Sequence, residues 1–410
     1  MRQVNLDHQA ATPVSPEVFE AMRPFFSEAY GSASSLHQHG LRARDALDKA
    51  REQVAAFIDA ESPEEILFTS DGTEAANLAV KGTAWANQRR GQHLVTSAIE
   101  HPAVLGSIEF LEQQGFRGTR LPVDAEGTLN AKALEAALTE QTVLVALHHA
   151  NPELGTIQPV QELAAVTVER GTPLYIDAEA SAGWLPIDVR TLGVDLLSFS
   201  PSRFHGPKGV GVLYRQRRAR LTSLLHGGVQ EGGRRAGTEN IPAIVGAGMA
   251  AELAAREREH RGRHVARLQS RLWEGLLARV PYLKFNGPPP GPRRLPNHLN
   301  VSAEFVEGEG LLLMLDTRGI AVASGTSCVS KSLKVSHVLS AIGLEHRLGQ
   351  AAILISLGAE NTDEDVDYVL ETFPRLVSKL RGMSPMWDEF ERGAIDSVVA
   401  PRSPQPSSSS

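Results

Sequence analysis

The chain has 410 residues, 42% of them hydrophobic, and a formal net charge of -7. It is too long for one ordinary domain and apolar enough to bury a large core, so two domains are expected. That charge, with Arg-Arg pairs scattered at 89, 217, 234 and 293, offers no basic face, which makes nucleic acid and anionic membranes unexpected partners. No apolar run reaches the roughly 18 residues that span a bilayer, and MRQVNLDHQAATP lacks the apolar stretch of a secretory signal, so the expected location is cytoplasmic. Cys328 is the single cysteine, which excludes an internal disulfide and any metal site built from several cysteines of this chain.

Between Glu65 and Arg215 short β-branched runs alternate with helical patterns, the signature of an α/β class with a parallel sheet and crossover helices. The predicted strands are EILFTS (65–70), HLVTSA (93–98), TRLPV (119–123), TVLVALH (142–148), PLYIDA (173–178), VDLLSFS (194–200) and GVGVLYR (209–215). Ligands of such open sheets sit at the carboxyl ends of the strands, so the residues just after these runs are the candidates for chemistry. From Asn240 to about Arg279 the apolar period lengthens to about 3.6, which predicts a helix leading out of the large domain. Beyond the Pro-rich turn at 286–296, LNVSAEF predicts a strand, and helices are expected at 308–318, 332–342 and 363–381. These assignments give a large domain over 16–255 and a smaller α/β domain built from 1–15 and 256–383. From about Ser384 the composition thins toward SVVAPRSPQPSSSS, which predicts a disordered tail over 384–410.

Within FTSDGTEAAN (68–77), Thr69, Ser70, Gly72 and Thr73 occupy a strand-to-helix turn whose free N–H groups favour a phosphate. An ordinary helix cap with Thr73 and Glu74 gives the same pattern. His101 follows the next strand end, in TSAIEHPAV, where an imidazole either serves the local structure or stacks on a planar ring. Asp177 ends the apolar strand of LYIDAEASAG, and a carboxylate there calls for a cation, either a pyridinium nitrogen or a structural salt-bridge partner. Cys328 lies among small residues with no apolar periodicity, which favours a functional thiol over a packed inert one. Lys331 and Lys334 are near enough in sequence to raise its thiolate fraction.

The same order continues through LDHQAATP (6–13), YGSASSLHQHG (30–40), HHANPELGTIQP (148–159), SFSPSRFHGPKGVG (198–211), HGGVQEGGRRAGTEN (226–240), PNHLNVS (296–302), ASGTSCVSKSLKVSHVLSAIGL (323–344) and ISLGAENTDEDVDYVL (355–370). Across this span the chain resembles the cysteine desulfurases of the class V aminotransferase group, pyridoxal phosphate enzymes of fold type I. The resemblance implies a large domain around a mostly parallel seven-stranded sheet, a smaller C-terminal α/β domain and a homodimer. It implies that Thr73 and Ser200 hold the cofactor phosphate, with Thr238 reaching in from the second subunit. His101 would stack on the pyridine ring, Asp177 would pair with the ring nitrogen, and Asn151 would lie near the phenolic oxygen. Cys328 would carry sulfur away from a substrate cysteine as a persulfide, or complete the ligand set of an iron–sulfur cluster shared with a partner protein.

Three departures from the family bear directly on its chemistry. Its Ser-x-His-Lys pattern reads Ser200-Pro201-Ser202-Arg203, so the lysine that anchors the cofactor as an imine is absent. A guanidinium keeps its proton at neutral pH and offers no free amine. Loss of general acid-base help alone costs about 10²- to 10⁴-fold. Lys208 does not replace the missing amine, because it belongs to the GPKG turn that accompanies the imine lysine. The glutamine of the family's Asp-Ala-x-Gln becomes Ala180, and the arginine that clamps the substrate carboxylate becomes Leu354, two changes in the substrate pocket. Ser32-Ala33 for Asn-Pro, Pro152 for a second asparagine and Ser202 for the histidine beside the lysine are lesser changes. The sequence therefore predicts a desulfurase-like protein of sulfur transfer or iron–sulfur cluster assembly, with Cys328 as carrier or ligand and any pyridoxal phosphate bound without an imine. The alternatives are a lysine-independent pyridoxal phosphate enzyme acting on another substrate, and a non-catalytic structural paralogue of an active desulfurase. A scaffold or sulfur-acceptor protein is the expected partner.

Overall fold

Runs such as TVLVALH have no polar face, so they can settle only where both sides of a strand are covered. The computed structural model describes residues 2–324 and 335–399. Its strands are β1 (Val4–Asn5), β2 (Ile66–Thr69), β3 (His93–Ser97), β4 (Arg117–Leu121), β5 (Thr142–His148), β6 (Leu174–Asp177), β7 (Leu196–Phe199), β8 (Gly211–Arg215), β9 (Leu283–Asn286), β10 (His298–Ala303), β11 (Ile320–Ala321), β12 (Ala323–Ser324) and β13 (Ala352–Ser356). Strands β2 to β8 form one sheet in the order β2-β8-β7-β6-β5-β3-β4. All neighbours run parallel except β8, which is antiparallel to both β2 and β7. These are the seven strands expected from the sequence.

A second sheet, β12-β13-β10-β9, is antiparallel, and β1 pairs in parallel with β11 beside it. The two cores are joined by the helix Ile241–Arg279, 39 residues and so about 58 Å long. Its first half buries Ala247, Ala250 and Ala251 in the core of the large sheet, and its second half buries Val265, Leu268, Leu272 and Leu276 in the core of the small one. Small residues in the first half permit close approach of the helix Gln38–Phe57. A β-carbon at Gly248 would lie 2.7 Å from Ala50 Cα.

The N-terminal segment leaves the small core, where Val4 and Leu6 are buried, and crosses to the large sheet. There Thr12 N–H donates to Ser202 O at 2.9 Å, and His205 N–H donates to Thr12 Oγ1 at 2.6 Å. These bonds lay residues 9–12 over the turn that carries Arg203.

The predicted helix at 332–342 is described as His337–Ala341, and residues 332–334 lie outside the described residues. The tail differs from expectation. Pro385–Glu391 is helical, and Trp387 and Phe390, three positions apart on one face, pack against Tyr282 and Phe305. Phe305 and Phe390 stack at 4.8 Å, and the Arg381 guanidinium lies 5.0 Å over Trp387. Val398 N–H and Ser397 Oγ then donate to the Glu304 carboxylate. Low apolar content hid this aromatic cluster from the sequence reading; residues 400–410 lie outside the described residues. No described helix is long and apolar enough to cross a membrane. Trp387→Ala should lower the unfolding free energy by about 1–2 kcal/mol through lost ring and cation contacts, read as a lower urea midpoint at unchanged slope.

Candidate active site

The carboxyl ends of β3, β5, β6 and β7 open on one side of the sheet, as open α/β sheets arrange their ligand sites. A cavity of about 400 Å³ lies there, lined by Thr73, His101, His148, Asp177, Glu179 and Arg203 among others. A larger cavity of about 680 Å³, between Arg51, Arg215 and Glu231, contains none of the predicted site residues.

The first wall is the N-terminus of the helix Gly72–Asn87. Its cap is Asp71, whose Oδ1 accepts Glu74 N–H at 2.7 Å, so Thr73 is not the capping residue and remains exposed at the mouth of the cavity. Gly72 N–H donates to Ser200 Oγ at 2.9 Å, and the Ser200 hydroxyl donates to Glu179 Oε1 at 2.8 Å. The Glu179 carboxylate rests directly on the first residue of the helix: a β-carbon built on Gly72 would fall 1.5 Å from Oε1.

Arg203 forms the second wall. Its Nη1 donates to the carbonyl oxygens of Gln9 and Ala10, the latter at 2.6 Å, and its Nε lies 3.6 Å from Glu179 Oε2, an ion pair without a hydrogen bond. Burial pushes the Glu179 carboxyl up, with the Asp177 charge adding to the shift and Arg203 opposing it.

Asp177 is buried at the end of β6, its Oδ1 accepting Glu179 N–H at 2.9 Å, and it has no ion pair among the described residues. Burial pushes its carboxyl up to about 6. The hydrogen bond from Glu179 N–H opposes that shift, Glu100 adds to it, and His148 and Arg203 oppose it from a distance. Behind Asp177, His148 Nδ1 meets Glu100 Oε1 at 2.8 Å, and Ser97 Oγ donates to the same oxygen at 2.5 Å. His101 lines the cavity and also caps the helix Pro102–Glu112, its Nδ1 accepting Ala103 N–H at 3.1 Å.

The remaining candidates are placed as follows. Asn151 does not line the cavity. Its Nδ2 donates to Ile99 O at 3.0 Å, and its Oδ1 accepts the N–H groups of Glu153 and Leu154, so it holds its own turn and ties it to the loop after β3. Ala180 lines the cavity, whereas Leu354 sits on β13, opposite Asn300 and Ala323, outside the lining. Thr238 is exposed and lines a smaller cavity beyond Ser70 and Gly209. Cys328, with Lys331 and Lys334, lies outside the described residues. No group of His, Cys, Asp or Glu suited to a metal ion occurs among the described residues. The residues missed by sequence reasoning are Glu179 as a site group and the His148–Glu100 pair. The acid two positions after Asp177 was the available signal for Glu179.

The family model described as aminotransferase class-V matches residues 4–369. A relative from Clostridium botulinum (strain Hall) named cysteine desulfurase IscS is 45% identical over 389 residues, covering 95% of this chain and 98% of the relative. One of the same name from Methanosarcina thermophila is 46% identical, covering 94% of each. A solved structure described as a NIFS-like protein superimposes with a TM-score of 0.86 at 38% identity, covering 92% of this chain and all of that one. A structure of SspA in complex with cysteine gives 0.77 at 34%, covering 88% of this chain and all of that one.

Class V aminotransferases and cysteine desulfurases are pyridoxal phosphate-dependent. Such a cofactor asks for an amine, an anion cradle and a carboxylate for its ring nitrogen. Asp177 and His101 suit the ring. Arg203 supplies no amine, and Ser200 of the expected cradle already donates to the Glu179 carboxylate. The donor set does not fit the lysine-anchored cofactor.

Because the folded-state value of Asp177 lies above its ordinary 3.8, the native state binds the proton more tightly, and stability falls as pH rises from about 3.8 to about 6. Asp177→Asn, which keeps the acceptor for Glu179 N–H, should therefore stabilise the protein above pH 6 by up to about 3 kcal/mol. The gain should vanish below about pH 4; urea melts at pH 4, 6 and 8 check it.

Proposed function

The chain belongs to the class V aminotransferase family, and from that membership we propose that it is a sulfur-transfer protein of the cysteine desulfurase group which carries sulfur on Cys328 but does not generate it through a lysine-bound cofactor. The observation that supports this reading is Arg203. It stands at the imine position with its guanidinium committed to Gln9 O, Ala10 O and Glu179, and an arginine cannot become a nucleophilic amine near neutral pH.

Sulfur then has to arrive already at the sulfane level, as a persulfide. The Cys328 thiolate attacks the outer sulfur of the donor persulfide. A new S–S bond forms as the donor's S–S bond breaks, and the donor leaves as a thiolate that takes up the proton Cys328 gave up. No net oxidation or reduction occurs. The reverse exchange passes the sulfur to an acceptor thiol, such as that of a scaffold protein of iron–sulfur cluster assembly in the cytoplasm. Lys331 and Lys334, close in sequence, favour the thiolate that such exchange needs.

The protein acts as a homodimer in this reading. Thr238 is exposed and lies outside its own chain's main cavity, in keeping with a residue that serves a neighbouring subunit. Sedimentation at micromolar concentration should give a dimer; a monomer contradicts this.

With cysteine, pyridoxal phosphate and a reductant, the protein should release no sulfide above the protein-free rate. Offered a small-molecule persulfide, it should gain one sulfur atom by intact mass, and Cys328→Ser should abolish the gain with little change in melting temperature. Enzymatic sulfide release from cysteine would overturn the first half of the proposal, and sulfur loading that survives Cys328→Ser would overturn the second.

A further inference from the structure

We propose that the Glu179 carboxylate is a built-in occupant of the phosphate cradle, locked in place by Arg203, so that this chain excludes phosphorylated ligands from the cavity at the sheet's carboxyl end. The inference deepens the reading above, that the site has left lysine-anchored chemistry, and rests on it.

Position is the first support. The resemblance assigns the phosphate to Thr73 and Ser200 at the start of the helix Gly72–Asn87, with Thr238 reaching in from the second subunit. Ser200 is engaged on both sides here, because its Oγ accepts Gly72 N–H and its hydroxyl donates to Glu179 Oε1. With Oε1 only 1.5 Å from where a Gly72 β-carbon would stand, the carboxylate lies on the helix backbone itself and leaves no room there for a second anion. Glycine at 72 is what allows that approach.

Charge is the second. The lining already holds three carboxylates, Asp71, Asp177 and Glu179, against the two cations Arg203 and Lys208. A phosphate dianion arriving at this end would meet Glu179 at contact distance while Arg203 is tied to Gln9 O and Ala10 O. Glu179 without Arg203 would be a half-buried anion beside Asp177, and Arg203 without Glu179 would lose its one ion pair among the described residues, so the two residues form one device.

The test titrates pyridoxal phosphate, pyridoxal and inorganic phosphate into the intact protein, followed by ligand absorbance and by the shift in melting temperature. The parent protein should show no saturable binding of inorganic phosphate and no preference for pyridoxal phosphate over pyridoxal. Arg203→Lys combined with Glu179→Ala should bind pyridoxal phosphate about ten- to a hundredfold more tightly than Arg203→Lys alone, the range expected when a charge-assisted contact is freed. It should also give a borohydride-stable adduct at position 203. Arg203→Lys with Glu179→Gln, which keeps the shape and removes the charge, should fall between, and it stands in if the alanine variant fails to fold. Equal affinity for Arg203→Lys with and without the change at 179, or no binding by either folded double variant, overturns the device and leaves the reading of Arg203 intact. A borohydride-stable adduct on the parent protein would overturn both.

Discussion

Holding a carboxylate out of water costs several kcal/mol unless charge and hydrogen bonds meet it, and much of this site is arranged around meeting one. Glu179 has the Ser200 hydroxyl on one oxygen and the Arg203 guanidinium opposite the other. Its neighbour two residues back, Asp177, is a buried carboxylate and works against it. A guanidinium suits the task where an ammonium would not, since its planar fork can face a carboxylate and two backbone carbonyls at once and stays charged. Through Gln9 O and Ala10 O that fork ties the N-terminal segment to the sheet's carboxyl end. A segment rooted in the small core thus closes one side of the cavity of the large one.

The same construction frames the stretch of sequence that contains Cys328. Before it, Ala323 and Ser324 pair with β13 in the small sheet. After it, the Ser336 hydroxyl donates to Glu153 at 2.6 Å and His337 Nε2 meets Glu100 O at 2.9 Å, both on the large domain. Burial pushes the Glu153 carboxyl up to about 7. The two ends of the segment are therefore fixed to different cores, which the helix Ile241–Arg279 holds together.

How much of this the sequence carried depends on the range of the interaction involved. β-Branched runs bounded by turns gave all seven strands of the large sheet, because a strand's character is local. His101 and Asp177 were singled out for a related reason, since each lies at a strand end and parallel strands bring their ends to one side, whereas Ser200 came with the resemblance alone. Glu179 was legible only as an acid two residues after Asp177, beside the missing donor at Ala180. Its contact with Gly72 depends on how two separate strand-end loops meet, which no local pattern encodes. Asn151 went the other way, since its Oδ1 is taken by its own turn at Glu153 and Leu154 and its Nδ2 by Ile99 O on another strand-end loop. The helix Pro385–Glu391 was missed because its anchor, Tyr282 and Phe305, lies about a hundred residues earlier in the chain.

The most direct measurement of whether Glu179 and Arg203 have taken the place of a lysine-bound cofactor is a high-resolution crystal structure of the full chain grown in excess pyridoxal phosphate. The account predicts the Glu179 carboxylate against Gly72 and Ser200, Arg203 on Gln9 O and Ala10 O, and no phosphate at the helix start. A phosphate bound by Gly72 N–H with Glu179 swung away, and density joining the cofactor to any lysine, would contradict it.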